Sequence, residues 1–284
     1  MNRPVFYLGT HMDGWLATVG VPLFVSHRRL VRRKTLPKAR TEWALDSGGF
    51  SELSLFGGWR TTPEEYTAAV IRYDTQIGQL SWAAQQDMMT EPEMTARTGL
   101  SLEEHQRRTV TNFVELQRLW IQMADERAES PWVPVLQGQT PDDYLRCWDM
   151  FGDSGIDLSQ CFLVGVGSIC RRQHSDEVRD ILDAILDRDP GIPLHLFGVK
   201  TIGMAKYGDK STSCDSLAWS FNARKNPPLP GCTHARCSNC LQWALRWRRN
   251  ILGGGCAKHG EPCDGGFTSS CHRHEVWARQ AQAR

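Results

Sequence analysis

The sequence predicts an α/β protein, a (β/α)8 TIM-like barrel followed by a C-terminal Cys/His-rich, zinc-binding appendage. Three observations carry that prediction. Short strand-like runs recur along the first 217 residues, and most are followed by an amphipathic helix-like stretch. The pattern then breaks at "NPPLPGC", beyond which cysteines and histidines crowd together. Strand–helix alternation implies a parallel sheet, and eight strand candidates suggest a closed barrel, with a doubly wound open sheet as the alternative. On this division the barrel occupies 1–226, and 227–284 form an appendage packed on it.

The expected strands, in order, are "VFYLG" (5–9), "PLFVS" (22–26), "EWALD" (42–46), "LSWAAQQD" (80–87), "WVPVLQG" (132–138), "CFLVGVG" (161–167), "LHLFGV" (194–199) and "STSCDSL" (211–217). The first three connections are short or irregular. Later ones have helical character, including "TPEEYTAAVIRYDTQIG" and the long stretch that opens at Ser101. Ser101 followed by Glu104 is a capping-box pattern, and Thr140 and Ser175 are natural N-caps for the next two helices.

With 40% hydrophobic and 23% charged residues, the chain can bury a full globular core. It has no apolar run of about 18 residues, so no membrane span is expected. The N-terminus shows no signal peptide with a cleavage site, which makes the cytoplasm the expected compartment. The net charge of +1 is uninformative, but "HRRLVRRKTLPKAR" (27–40) and "RWRR" (246–249) are basic and almost free of acids. Two such runs suit contact with phosphates.

In a barrel of this kind the active site is built at the C-terminal ends of the strands. Those positions hold Asp46-Ser47-Gly48-Gly49, Asp87, Gln137-Gly138, Gly165 with Gly167, Gly198 and Asp215. Asp87 alone reads as a turn cap and Gln137-Gly138 as a loop start. Together, three carboxylates, an amide and several glycines at one mouth describe a polar ligand pocket. Asp215 stands in an otherwise apolar or small-residue strand, where an unpaired charge is costly.

"LDSGGF" resembles the aspartate-serine-glycine-glycine-phenylalanine signature of the tRNA-guanine transglycosylases. "VLQGQ" is similar to that family's apolar-Gln-Gly strand end, and "FLVGVGS" to its glycine-bearing strand. "LHLFGVKTIG" with "CDSLAWSFNAR" resembles its Met-Gly-Val-Gly segment and nucleophile strand. Order and rough spacing agree from residue 43 to about 240. The resemblance implies a pentosyltransferase in which Asp215 attacks C1′ of a nucleotide and expels guanine, leaving a covalent glycosyl-enzyme. It casts Asp46 as the general acid/base, and Asp87 as the reader of the N1 and N2 hydrogens of guanine. Gln137, with Gly138 and the backbone of Gly165 and Val166, would hold O6. Ser47 and Gly48 would lie beside the base, which must leave its stack to enter.

The appendage opens with "GCTHARCSNC", a C-x-H-x2-C-x2-C pattern that offers Cys232, His234, Cys237 and Cys240 as ligands of a structural Zn2+. In place of the family's C-x-C-x2-C with a distant histidine, this chain carries His234. The fourth ligand is therefore open between His234 and Cys256 or His259. The tail, with Cys263, Cys271, His272 and His274, could bind a second metal or none.

The chain is shorter than the tRNA enzymes of the family and its metal loop is altered. Both departures resemble the deazapurine DNA-modification branch found in phages and some bacteria. The function expected from that likeness is exchange of guanine in DNA for a 7-deazaguanine, such as 7-cyano-7-deazaguanine (preQ0). The compartment would be the host cytoplasm if the protein is phage-encoded, and accessory modification proteins are conceivable partners. The alternatives are a tRNA-guanine transglycosylase acting on tRNA and a non-catalytic zinc-containing nucleic-acid-binding module. A weaker one is a metal hydrolase built on His11 and Asp13. His195, mid-strand, reads as a satisfied core residue, and Trp219 as packing placed, just after Asp215, to border the pocket.

Overall fold

The computed structural model describes residues 4–125, 129–173 and 175–252. Nine strands, every pairing parallel, form one sheet: β1 (Val5–Thr10), β2 (Leu23–Ser26), β3 (Trp43–Asp46), β4 (Leu80–Ala84), β5 (Trp132–Val133), β6 (Val135–Leu136), β7 (Val164–Val166), β8 (Leu194–Leu196) and β9 (Ser213–Ser216). Their order is β5-β4-β3-β2-β1-β9-β8-β7-β6. The two edge strands are neighbours in the chain, separated by Pro134 alone, so the sheet closes on itself as a TIM-like barrel. Pro134 has no N–H to give a ladder, which splits the expected "WVPVLQG" strand in two. Its carbonyl still accepts from the Gly165 N–H at 2.8 Å. Eight expected strand runs thus become nine segments on one barrel, and the open-sheet alternative falls.

Helices follow the later strands. After β3 come α1 (Gly49–Phe56) and α2 (Pro63–Ile77), and after β4 α3 (Pro92–Thr98) and α4 (Leu102–Met123). After β6 comes α5 (Pro141–Asp153), after β7 α6 (Glu177–Arg188) and after β8 α7 (Thr201–Tyr207). Beyond β9 lie α8 (Ala218–Lys225) and α9 (Leu241–Ile251). Between β1 and β3 the connections hold a 3-10 turn and one helical turn at His27–Leu30, consistent with their irregular sequence. Complete capping boxes start α2 (Thr62 with Glu65) and α5 (Thr140 with Asp143), each with proline in the first turn. Two expected starts differ. Ser101 accepts from the Glu104 N–H, but the Glu104 carboxylate turns to Arg107 and Arg108 instead of closing the box. Ser175 is not a cap, because its hydroxyl bonds the Arg172 carbonyl and α6 begins after Asp176.

Strand alternation sorts the core into two layers. Phe6, Leu8, Leu23, Val25, Trp43 and Leu45 face outward beneath the helices. The intervening positions Tyr7, Phe24, Ala44, Trp82 and Val133, with Leu163 and Phe197, fill the barrel's inside. This parity places the site: two residues beyond Phe24 and Ala44 stand Ser26 and Asp46, and Asp215 follows Ser213 on the same inward row. The aromatic floor therefore gives way to a polar mouth within one strand repeat. Among the described residues, no helix is long and apolar enough to cross a membrane.

Candidate active site

The mouth encloses a cavity of about 410 Å³ lined by Asp46, Ser47, Asp87, Gln137 and Asp215, together with Thr10, Phe24, Phe50, Met89, Glu91, Ser168, Cys170 and Phe197. It is the size of a small-ligand pocket. Three carboxylates from β3, the end of β4 and β9 converge here, each at the strand end where the sequence puts it.

Asp215 is 7% exposed. Its Oδ1 accepts from the Gly198 N–H at 2.9 Å and lies 3.3 Å from His195 Nε2. Gly198 adopts φ +68, and a side chain there would press on Cys170 Cβ at 2.7 Å, so this donor requires glycine. His195 is fully buried between Trp82 and Phe197, with ring centroids at 4.5 and 4.6 Å. Burial pushes its pKa down despite the adjacent Asp215, which favours the neutral ring. Its Nδ1 is 2.8 Å from Ser213 Oγ. The pattern is satisfied when Ser213 donates to Nδ1 and Nε2–H donates to Asp215. Oδ1 then holds two donors, while Oδ2 takes no hydrogen bond among the described residues. His195 is thus the satisfied core residue its mid-strand position suggests, and it is also tied to the site through Asp215.

Asp46 ends β3 opposite Ser26. The turn after it needs Gly48 at φ +82, whose N–H donates to Asp46 Oδ1 at 3.0 Å. Burial raises the Asp46 pKa, opposed by the Gly48 and Ser26 hydrogen bonds and reinforced by Asp215. Asp87 is pushed up to about 7, chiefly by burial, although Gln137 Nε2 donates to its Oδ2 at 2.5 Å. Gln137 is held in turn by Ser168, whose hydroxyl sits 2.6 Å from Gln137 Oε1. Ser168, at φ +54, also takes the Thr90 N–H and reaches Glu91. The site therefore holds two carboxyl groups whose proton affinity burial raises, which acid–base chemistry near neutral pH needs.

Four expected residues do not line the cavity. Gly48 and Gly138 serve the turns beneath it. Gly165 and Val166 sit lower in the barrel, where the Gly165 N–H bonds Pro134 and the Val166 carbonyl accepts from Phe197. The positions facing the cavity from that strand are Gly167 and Ser168. Trp219 is likewise fully buried, stacking on Trp15 and donating to the Gly9 carbonyl, and does not border the pocket. The His11–Asp13 metal reading finds no support: His11 bonds Asn239 and Asp13 pairs with Arg33. Glu91, Ser168 and His195 join the site without having been foreseen. Only His195 left a sequence signal, a lone polar residue at an inward position of an apolar strand.

On one side the cavity opens into a groove of about 800 Å³ lined by Arg28, Arg29, Arg32 and Arg60, with Asp46, Phe50 and Leu217 shared between the two. Part of the basic run 27–40 therefore borders the mouth. The rest folds onto the protein, Arg33 pairing with Asp13 and Arg40 reaching the Thr18 carbonyl. "RWRR" is not a free basic face: Trp247 packs on Phe6, and Arg248 donates to the Phe6 carbonyl.

Cys232, His234, Cys237 and Cys240 bring their ligand atoms within 4.8 Å of one another. The Cys232–Cys240 sulfurs are 3.9 Å apart, close to the edge, about 3.8 Å, of a tetrahedron with metal–sulfur bonds of about 2.3 Å. Cys237 also accepts from the Leu229 N–H at 3.3 Å, as a metal-bound thiolate does. The donor set fits a metal ion and is complete with His234. Cys256, His259 and the tail candidates Cys263, Cys271, His272 and His274 lie outside the described residues. The knuckle reaches the mouth through Asn239, which bonds His11, and through Ser238, whose carbonyl takes the Ser220 hydroxyl.

The family model described as "DpdA: DeoxyPurine in DNA protein A" matches residues 2–277. No curated protein matches the chain. The match spans almost the whole sequence, and the chain belongs to this family of tRNA-guanine-transglycosylase-like DNA-modification enzymes.

Proposed function

We propose that this member of the DpdA family exchanges guanine in DNA for a 7-deazaguanine such as 7-cyano-7-deazaguanine, through a covalent intermediate on Asp215. The observation that carries the reading is the asymmetry of Asp215, with Oδ1 held by Gly198 and His195 and Oδ2 left unbonded at the cavity. A carboxylate fixed on one oxygen and open on the other is built to attack.

In this scheme the target nucleotide leaves its stack and the guanine enters the cavity. Oδ2 attacks C1′ as the C1′–N9 bond breaks, through an oxocarbenium-like transition state. Asp46, whose proton affinity burial raises, supplies the proton the departing guanine needs. The incoming deazapurine gives its N9 proton back to Asp46 and attacks C1′, restoring the nucleoside bond and freeing Asp215. Asp87, ionised, accepts from the N1 and N2 hydrogens of the base. Gln137, oriented by Ser168, meets O6. Ser47 lies beside the base, and Arg28, Arg29 and Arg32 neutralise phosphates in the groove. The domain division we propose keeps this machinery in 1–226. Zn2+ held by Cys232, His234, Cys237 and Cys240 would fix the knuckle under α8 and the mouth, contributing fold and no chemistry.

The test offers labelled guanine or 7-cyano-7-deazaguanine with duplex DNA and unmodified tRNA side by side. The proposal expects label in DNA, lost by roughly 10⁴-fold or more with Asp215→Asn. Label entering tRNA alone would overturn the choice of polymer.

A further inference from the structure

Three of the four exposed phenylalanines among the described residues stand at the barrel's mouth, and the fourth, Phe162, precedes β7 at the opposite end. Phe50 and Phe56 line the arginine-rich groove. Phe221 lines a second groove of about 500 Å³ on the other flank, which meets the cavity at Cys170. They are 49%, 42% and 59% exposed, although burying a phenylalanine is favourable. Each ring also has a cation over one face: Arg171 over Phe50 at 5.6 Å, Arg60 over Phe56 at 4.2 Å and Lys225 over Phe221 at 4.3 Å. A single exposed aromatic needs no explanation. Three cation-capped rings on both flanks of one cavity form a pattern.

We infer that Phe50, Phe56 and Phe221 are stacking platforms for the bases on either side of the extruded guanine, and that the rim recognises an unpaired DNA strand. Every base offers a π-face, so aromatic rings hold a strand without reading its sequence. The neighbouring Arg60 and Lys225 supply positive charge for its phosphates, while Arg171 is shared with Glu93. The two grooves leave the cavity in different directions, giving the strand a path in and a path out. In a duplex the flanking bases are stacked on each other and closed to these rings, so the target is the locally opened strand. This rests on the DNA reading above and adds the state of the DNA that the enzyme holds.

The experiment is fluorescence anisotropy with a labelled, guanine-containing deoxyoligonucleotide, presented as a single strand and as a duplex, alongside the exchange assay. The single strand is expected to bind at least tenfold more tightly than the duplex. Phe56→Ala and Phe221→Ala should each weaken it by about tenfold, and Phe221→Leu should weaken it nearly as much. Phe221→Trp should retain or improve binding, and the thermal midpoints should be unchanged throughout. Tighter binding of the duplex, wild-type binding by the alanine or leucine variants, or no binding of the single strand would each overturn the inference. The two claims fail separately. Phenylalanine-dependent binding without any base exchange would sink the transglycosylase reading alone. Exchange at the wild-type rate by the alanine variants, at subsaturating single strand, would sink the platforms alone.

Discussion

The barrel mouth and the Cys/His knuckle both gather polar side chains, and they do so in opposite ways. At the knuckle, four ligand atoms lie within 4.8 Å of one another, so that a single ion could satisfy them all. At the mouth, Asp46, Asp87 and Asp215 come together without a cation paired to any of them among the described residues. Burial raises the proton affinity of Asp46 and Asp87. A bound ion would stabilise the knuckle, whereas the mouth carries the cost of burying carboxylates. If the mouth is kept for chemistry, as we propose, its variants should lose turnover without losing stability, and variants of the knuckle should do the reverse.

The largest break in that contrast is expected from Asp46→Asn. Removing a general acid typically costs about 10²–10⁴-fold in rate, so kcat for base exchange should fall by that much while the thermal midpoint holds or rises. A fall in stability of comparable weight would make Asp46 a structural residue.

His195 sharpens the comparison, because it is core by position and site by contact. Losing a hydrogen bond to a charged group costs about 1.5–3 kcal/mol, so His195→Phe should lower kcat by roughly 10–100-fold with KM nearly unchanged. His195→Gln, which retains an N–H donor, should recover part of it. A merely structural role would move kcat and KM through unfolding and would not respond to the donor.

Asp87 supplies the pH test. Its carboxyl is raised to about 7 by burial, and base recognition needs it ionised. Affinity for free guanine, measured by calorimetry, should therefore fall about tenfold per pH unit below 7, and Asp87→Asn should bind weakly and flatten the profile. The same shift costs the fold stability as pH rises from about 4 to 7, since the folded state holds the proton more tightly than the unfolded chain does. Asp87→Asn should thus be more stable than wild type at pH 8, and indistinguishable near pH 4.

The smallest effect on chemistry belongs to the knuckle. Cys237→Ser should abolish stoichiometric zinc in elemental analysis and lower the thermal midpoint by roughly 5–10 °C. Exchange below that midpoint should drop only a few-fold, through the Asn239–His11 and Ser238–Ser220 contacts.

How far all this was legible in the sequence depended on the range of the interactions. The strand runs, the N-cap at Thr140 and the three aspartates at strand ends are local patterns, and each is where the sequence puts it. Pro134 dividing a strand follows from its missing N–H. The Ser175 cap failed because Arg172, three residues back, offers its carbonyl to the hydroxyl. What stayed hidden depends on register between distant segments. His195 faces Ser213 across β8 and β9, and only that pairing puts it beside Asp215. Ser168 and Glu91 meet across 77 residues, which no spacing rule anticipates. Gly165 and Val166 were misjudged by a step of two along β7, enough to move a residue from the cavity wall into the ladder.

The central claim, that Asp215 is the nucleophile, is tested most directly by trapping its adduct. Wild-type protein would be incubated with guanine-containing DNA without an incoming base, quenched in denaturant and weighed intact by mass spectrometry. We predict a protein–DNA species with guanine lost, mapped by peptide sequencing to Asp215 and missing in Asp215→Asn. An adduct on another residue, or exchange proceeding at the wild-type rate in Asp215→Asn, would contradict it.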